Sequence, residues 1–251
     1  MSFIPDSDSK TLVVIPLFNE EETIVPVIEE TRRHYSGDIL IVNDGSTDSS
    51  LERIALAADD RIFVLNHGEN KGYGRSLIDG FEYAETNRYD FVITMDCDFQ
   101  HEPCCIPHFL GELREVDVVS GSRYFFDVAG SSDAPADRYR INKVITSEIN
   151  KLTCYTLTDA FCGFKGYRTA SLGALKLTES GYAMPLQFWI QAGAAGLKVK
   201  EIPVKRIYLN LDRRFGNGLD DPEHRLAYYR SVIDREYQNV RRCFAHRCAS
   251  R

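Results

Sequence analysis

Two aspartates stand two residues apart where an apolar run ends. Residues 91–100 read Phe-Val-Ile-Thr-Met-Asp-Cys-Asp-Phe-Gln, which places the acids at Asp96 and Asp98. In an extended backbone the i and i+2 side chains leave on one face, so the two carboxylates converge. Converging acids resist ionising together unless a cation lies between or beside them. Oxygen ligands at this spacing suit Mg2+ or Mn2+, and magnesium readily shares its shell with phosphate. The same Asp-Cys-Asp is also a serviceable strand end and helix cap, so the pair takes its meaning from its surroundings.

Three other strand ends carry residues fit for a phosphorylated ligand. Pro16-Leu-Phe-Asn-Glu20 follows the first apolar run, with Asn19 and the acids Glu20, Glu21 and Glu22 at an expected helix start, where capping and the helix dipole favour them. The second run ends in Asn43-Asp-Gly-Ser-Thr-Asp48. There Gly45 permits a tight exit, and Asp44 either points a carboxylate into a crevice or belongs to a plain turn. The third leads through Asn66 to Asn70-Lys-Gly-Tyr-Gly-Arg75, a glycine-containing helix entry whose two cations suit a phosphate or diphosphate.

The elements that must position these groups follow from the hydrophobic pattern. Residues 11–17, 38–43, 61–66, 90–95 and 116–120 read as strands, with helical stretches near 20–34, 47–58, 73–87 and 104–114 between them. Such alternation predicts an α/β fold, a mostly parallel central sheet with helices on both faces. In open sheets of this kind the ligand lies beyond the carboxyl ends of the strands, where the strand order switches, and every polar motif of the first half falls there.

Bulk properties narrow the class. The chain has 251 residues, 43% of them hydrophobic, and a net charge of -7, which argues against a nucleic-acid partner, whose footprint is basic. No apolar run reaches the length of a membrane span, and the polar first ten residues lack a signal-peptide core, so a cytoplasmic location is expected. Seven cysteines form an odd set without framework spacing, as in a reducing compartment. His101, Cys104, Cys105 and His108 lie close enough to raise zinc, but adjacent cysteines on a helix start point about 100° apart and cannot easily share one ion with both histidines.

Taken together, Pro-Leu-Phe-Asn-Glu, Val-Asn-Asp-Gly-Ser-Thr-Asp, Asn-Lys-Gly-Tyr-Gly and Met-Asp-Cys-Asp-Phe-Gln-His-Glu-Pro, in this order, resemble the family 2 inverting glycosyltransferases of GT-A (Rossmann-like) fold. The branch most similar is that of dolichyl-phosphate mannose synthases and polyprenyl-phosphate glycosyltransferases. Its marks here are Gln100-His101-x-Pro103, Val119-x-Gly-Ser-Arg123-Tyr124, and Asp159 ahead of Gly163-Phe164, and the likeness runs over roughly residues 11–216.

The resemblance implies that Pro16, Phe18, Glu20, Asp44 and Lys71 hold a nucleotide sugar, GDP- or UDP-linked. Asp96 is expected by the ribose and metal, with Asp98 and Gln100 completing the seat of Mg2+ or Mn2+. It further implies that Arg123, Arg138 and Arg213 hold the phosphate of a polyprenyl-phosphate acceptor, a task suited to a planar, permanently charged fork. As an alternative, these arginines pair with Asp127, Asp133, Asp137 and Asp212 on the surface. Residues 125–136, with Gly130, Ser131, Ser132 and Pro135, have the composition of a lid.

The role of Asp159 depends on the acceptor. A phosphate monoester is already an anionic nucleophile, so Asp159 would only orient, whereas a hydroxyl acceptor would make it the first candidate for a base. Residues 161–167 are expected to form a short strand beneath the acceptor, with Gly163 and Gly166 allowing close approach. Residues 183–195 read as a core helix and 197–203 as a strand.

The Gly-Ser-Lys that follows the arginine in the synthases is Gly216-Asn-Gly218 here, and the Gln-x-x-Arg-Trp of processive synthases is missing, the lone Trp189 standing in Gln-Phe-Trp. The expected organisation is one catalytic domain over 1–220 and an amphipathic helix with a basic tail over 221–251. Arg241, Arg242, Arg247 and Arg251 suit peripheral contact with a membrane or ordinary helix-end charge. A homo-oligomer is compatible with the sequence. The reading expected is mannose transfer from GDP-mannose to polyprenyl phosphate. The alternatives are UDP-sugar transfer to a hydroxyl, a nucleotidyltransferase, and an inactive nucleotide-sugar binder.

Overall fold

The computed structural model describes residues 9–57, 59–126, 134–207, 216 and 218–245. Seven strands alternate with eight helices among them: β1 (Thr11–Leu17), α1 (Ile24–His34), β2 (Asp38–Asn43), α2 (Ser50–Ala57), β3 (Ile62–Asn66), α3 (Tyr73–Thr86), β4 (Phe91–Thr94), α4 (Ile106–Glu112), β5 (Val118–Ser122), α5 (Ala136–Thr153), β6 (Lys165–Arg168), α6 (Thr169–Leu172), α7 (Met184–Ala195), β7 (Val199–Pro203) and α8 (Pro222–Ala245). The strands form one sheet in the order β3-β2-β1-β4-β6-β5-β7. All pairings are parallel except those of β6, which runs antiparallel to both β4 and β5.

The apolar runs are continuous because the central strands are covered on both sides. Leu12 and Val14 of β1 face one core with Leu40, Val42 and the helices α3, α5, α7 and α8. Val13 and Ile15 face the other with Ile39, Ile41, Ile93, α1 and α4. The chain leaves β1 toward β2 and β3, then returns to lay β4 on its other side, so the carboxyl ends of β1 and β4 form the switch point, the place where open sheets of this kind bind their ligands.

The C-terminal amphipathic helix uses its apolar stripe for packing. Leu226, Tyr229, Val232, Ile233 and Phe244 are buried in the first core against α5 and α7, each such side chain contributing about 1.5–3 kcal/mol. Met184 to Ala194 of α7 are all buried, as expected of a core helix, and Trp189 Nε1 donates to Ala160 O at 2.9 Å.

Several elements differ from the sequence reading, among them the strand expected over 161–167, which is β6 and begins only at Lys165. α1 begins only at Ile24, because Asn19 sits in the left-handed region at φ 52 and its carboxamide accepts the Thr47 N–H at 2.8 Å, so it joins the first loop to the second and caps no helix. β5 starts two residues late, since the Asp117 carboxylate takes the Lys198 N–H and the Ser171 hydroxyl, each at 2.8 Å, and so belongs to the turn. Helix 104–114 opens as a 3-10 turn, Pro103–Cys105, before α4.

Candidate active site

The two aspartates sit beyond β4 in a loop, and this corrects the premise that an extended strand aims them. Met95 N still bonds Val14 O at 3.1 Å, but the next amide, Asp96 N, donates to His101 Nδ1 at 2.9 Å, so the ladder ends there. Asp96 and Asp98 are half-buried while Met95 and Cys97 are buried, and both carboxylates lie near enough to His101 to act on its charge. The His101 ring is itself buried and stacked on Phe164 at 5.2 Å. Burial pushes the His101 imidazole down from its ordinary value despite Asp96 and Asp98 nearby, which keeps Nδ1 available as an acceptor.

Two further contacts fix the Asp96 carboxylate. The Tyr73 hydroxyl at the start of α3 donates to its Oδ1 at 2.9 Å. From the opposite side, Gly163 approaches so closely that a Cβ there would lie 2.6 Å from Oδ2. Asp98 receives the Gln100 backbone N–H at 3.1 Å and its side-chain amide at 2.8 Å, so the amide of Gln100 is oriented by the acid it stands beside. Among the described residues no group of three or more His, Cys, Asp or Glu is arranged to hold a metal ion. Two carboxylates do fit the way Mg2+ and Mn2+ bind when substrate phosphates complete the shell.

The loops that follow β1 and β2 are laced together. The first takes its shape from the second: Asn19 N donates to Ser46 Oγ at 3.0 Å and Glu20 N to Ser50 Oγ at 3.1 Å. Phe18 is 45% exposed, Pro16 and Glu20 are half-buried, and the Lys71 side chain is exposed. Asp44 departs from the expectation of a carboxylate open to the crevice. It is buried, its Oδ1 accepting Lys71 N and its Oδ2 accepting Gly72 N, both at 2.8 Å, with His67 Nδ1 also on Oδ1 at 2.7 Å. It therefore shapes the Lys71-Gly72 loop from beneath.

Just past β5, Arg123 and Asp159 meet in a bidentate pair, Nε to Oδ2 at 2.7 Å and an η nitrogen to Oδ1 at 3.0 Å. Asn142 of α5 donates to Asp159 Oδ1 at 2.7 Å and Phe161 N does so at 3.1 Å. Burial alone would raise the Asp159 carboxyl, but the Arg123 guanidinium and these donors outweigh it and hold it at about 2. A carboxylate 0% exposed and so engaged is a poor proton acceptor. The loop that presents it is anchored by Glu201, which accepts Thr158 N at 2.7 Å and Asp159 N at 3.1 Å.

Arg138 lies on α5 one turn before Asn142, hence on the same helix face. Tyr124, 2% exposed, gathers three cations around its ring: Arg123 at 5.7 Å, Lys143 at 5.0 Å and Arg206 at 5.1 Å. Arg213 and most of the expected lid fall outside the described residues.

The sequence reading gave no role to His67, Tyr73 or Asn142. His67 and Tyr73 were findable by place alone, one just past a strand end and the other between two glycines. Asn142 becomes visible only through the contact with Asp159.

The sequence profile of Glycosyl transferase family 2 matches residues 12–175. The chain belongs to this family. Among its relatives, an undecaprenyl-phosphate mannosyltransferase of Micrococcus luteus is 28% identical over 203 residues, covering 78% of this chain and 82% of that protein. A polyprenol monophosphomannose synthase of Mycolicibacterium smegmatis is 29% identical over 247 residues, covering 92% of each. Among solved structures, glucosyl-3-phosphoglycerate synthase from Mycobacterium tuberculosis, in complex with Mn2+, UDP and phosphoglyceric acid, superposes with a TM-score of 0.70 at 17% identity, over 92% of this chain and 79% of that one. At that identity the likeness speaks for the shared GT-A fold. Among the described residues, no helix is long and apolar enough to cross a membrane.

Proposed function

We propose that this family 2 glycosyltransferase moves a hexose, with mannose from GDP-mannose as the first candidate, from a nucleotide sugar to a polyprenyl phosphate, with inversion at the anomeric carbon. The observation that carries the reading is the state of Asp159. A hydroxyl acceptor needs a base, and the carboxylate best placed for that duty is buried, doubly held by Arg123 and kept ionised at about 2. A phosphate monoester needs no base, and the relatives named for polyprenyl-phosphate acceptors agree with this.

In this scheme Asp96, Asp98 and Gln100 would hold Mg2+ or Mn2+, which when bound neutralises charge on the departing nucleoside diphosphate. Pro16, Phe18, Glu20 and Lys71 line the nucleotide side, and Asp44 fixes the loop beneath it. Arg123, Arg138 and Arg213 receive the acceptor phosphate, whose oxygen attacks the anomeric carbon in line with the leaving diphosphate. The sugar–diphosphate bond breaks as the new sugar–phosphate bond forms.

Thermal-shift titration with GDP- and UDP-sugars in Mn2+ tests the donor assignment. One nucleotide series should raise Tm in the wild type and lose that effect in Asp98→Ala, because ligand binding stabilises by mass action. Equal shifts in both proteins would refute the metal-bridged donor site.

A further inference from the structure

His67 is a buried histidine with a carboxylate on each ring nitrogen. It follows β3 directly, its N–H bonded to Asn43 O at 2.9 Å, and its side chain is 2% exposed. Nδ1 lies 2.7 Å from Asp44 Oδ1 and Nε2 lies 2.8 Å from Asp79 Oδ2. Both partners act as acceptors. The two oxygens of Asp44 already accept the Lys71 and Gly72 amides, which can only donate. Burial would raise the Asp79 carboxyl, but the Arg75 guanidinium outweighs it and holds Asp79 ionised. An ionised carboxylate has no proton to offer, so each ring nitrogen must supply its own.

We infer that His67 is held as an imidazolium cation latching Asp44 of the donor loop to Asp79 of α3, and that this latch is a positioning device for the nucleoside diphosphate. The inference rests on the donor-side reading above and adds to it the group that sets the shape of the Lys71–Gly72 turn.

The surrounding charges are consistent with a cation at this position. From β2 comes Asp44; from α3 come Asp79, Arg75 and, through Arg75, Glu82 at 2.9 Å. Glu69 and Lys71 of the loop itself are exposed, and Glu179 of the neighbouring loop is engaged by Tyr228 and Arg235. The buried Asp44 and the partly buried Asp79 are thus balanced by two cations, His67 and Arg75, and losing the ring proton would leave one anion uncompensated beside a bare nitrogen lone pair. The consequence reaches the ligand side quickly. Gly72 stands at φ 100, and a Cβ there would meet Ser180 O, while Arg75 N bonds the same carbonyl at 3.1 Å, so the turn tolerates little drift.

The test combines three readouts on the full chain. Nitrogen NMR of the His67 ring should show both ring nitrogens protonated near neutral pH. Hydrogen exchange at the Lys71 and Gly72 amides, relative to Leu40 in the core of β2, should lose protection in His67→Gln.

GDP and UDP affinity with Mn2+ should fall about tenfold or more in His67→Gln, the loss expected of a charge-assisted hydrogen bond. A singly protonated ring at neutral pH overturns the latch. So does nucleotide affinity in His67→Gln equal to wild type. If the variant fails to fold, the ring nitrogens of the wild type decide alone: one protonated nitrogen overturns the latch and two uphold it. Failure of the wild type to bind either nucleotide, with the ring doubly protonated and the amides protected, overturns the donor assignment and leaves the latch standing.

Discussion

Gly163→Ala isolates the geometry on which the proposed metal seat depends. A Cβ at this position would lie 2.6 Å from Asp96 Oδ2, 2.9 Å from Oδ1 and 3.0 Å from Cγ. Gly163 is not among the residues of positive φ, so its backbone accepts alanine. On its own this exchange would stabilise by about 0.4–1 kcal/mol through the unfolded chain. The clash falls on the end of a side chain in a loop, and that end can move. A relaxed C···O contact needs about 3.3 Å or more, so the carboxylate must retreat by roughly 0.7–1 Å and strain its bond to Tyr73.

Displacement of this size at a reacting centre costs up to about 100-fold, or about 2.7 kcal/mol of barrier. We expect kcat to fall between about tenfold and 100-fold with weaker Mn2+ binding by electron paramagnetic resonance, while Tm stays within a few degrees of wild type. Wild-type turnover and Mn2+ affinity in Gly163→Ala would refute the view that Gly163 is required to place Asp96.

Four other outcomes are expected. Tyr73→Phe removes the donor to Asp96 Oδ1 and leaves the ring stacked at 5.8 Å on Tyr182, so it should raise the Mn2+ dissociation constant several-fold with little change in Tm, measured by metal titration. Asp159→Ala leaves the Arg123 guanidinium without its buried partner and should cost about 3–5 kcal/mol in urea unfolding. For the pH dependence, the folded carboxyl of Asp159 is lowered from 3.8 to about 2, so its stabilisation is whole above about pH 4 and drains as pH falls through about 2. Acid titration should show that loss in the wild type and a shallower slope in Asp159→Asn. Gly45→Ala should destabilise by about 1–3 kcal/mol, since φ is +74 and a Cβ would meet the Glu69 and Asn70 backbone at 2.5 and 2.7 Å.

The parts of the fold legible in the sequence were those written in uninterrupted apolar runs. β1 and β2 lie where the sequence reading places them because the sheet buries both their faces. The strand ends were harder, since what stops a strand is the competing partner of its next amide: His101 takes Asp96 N and the Asp117 carboxylate takes Lys198 N, and neither contact has a local signal. The same holds within the site. The motifs mark Asp44 and Asp159 as important residues but are silent on what each touches, and burial beneath a loop or against Arg123 turned both from groups open to substrate into groups that hold other groups. His67 and Asn142 escaped notice for the converse reason, being single polar residues whose partners stand 23 and 17 positions away.

The central claim, metal-assisted transfer of a sugar to a lipid phosphate, is tested most directly by mass spectrometry of the lipid product. Wild-type protein with Mn2+ and the nucleotide sugar it prefers should convert a short polyprenyl phosphate to its glycosyl phosphodiester, leave the matching polyprenol untouched, and lose all product in Asp98→Ala. Glycosylated polyprenol, or undiminished product from Asp98→Ala, would contradict the account.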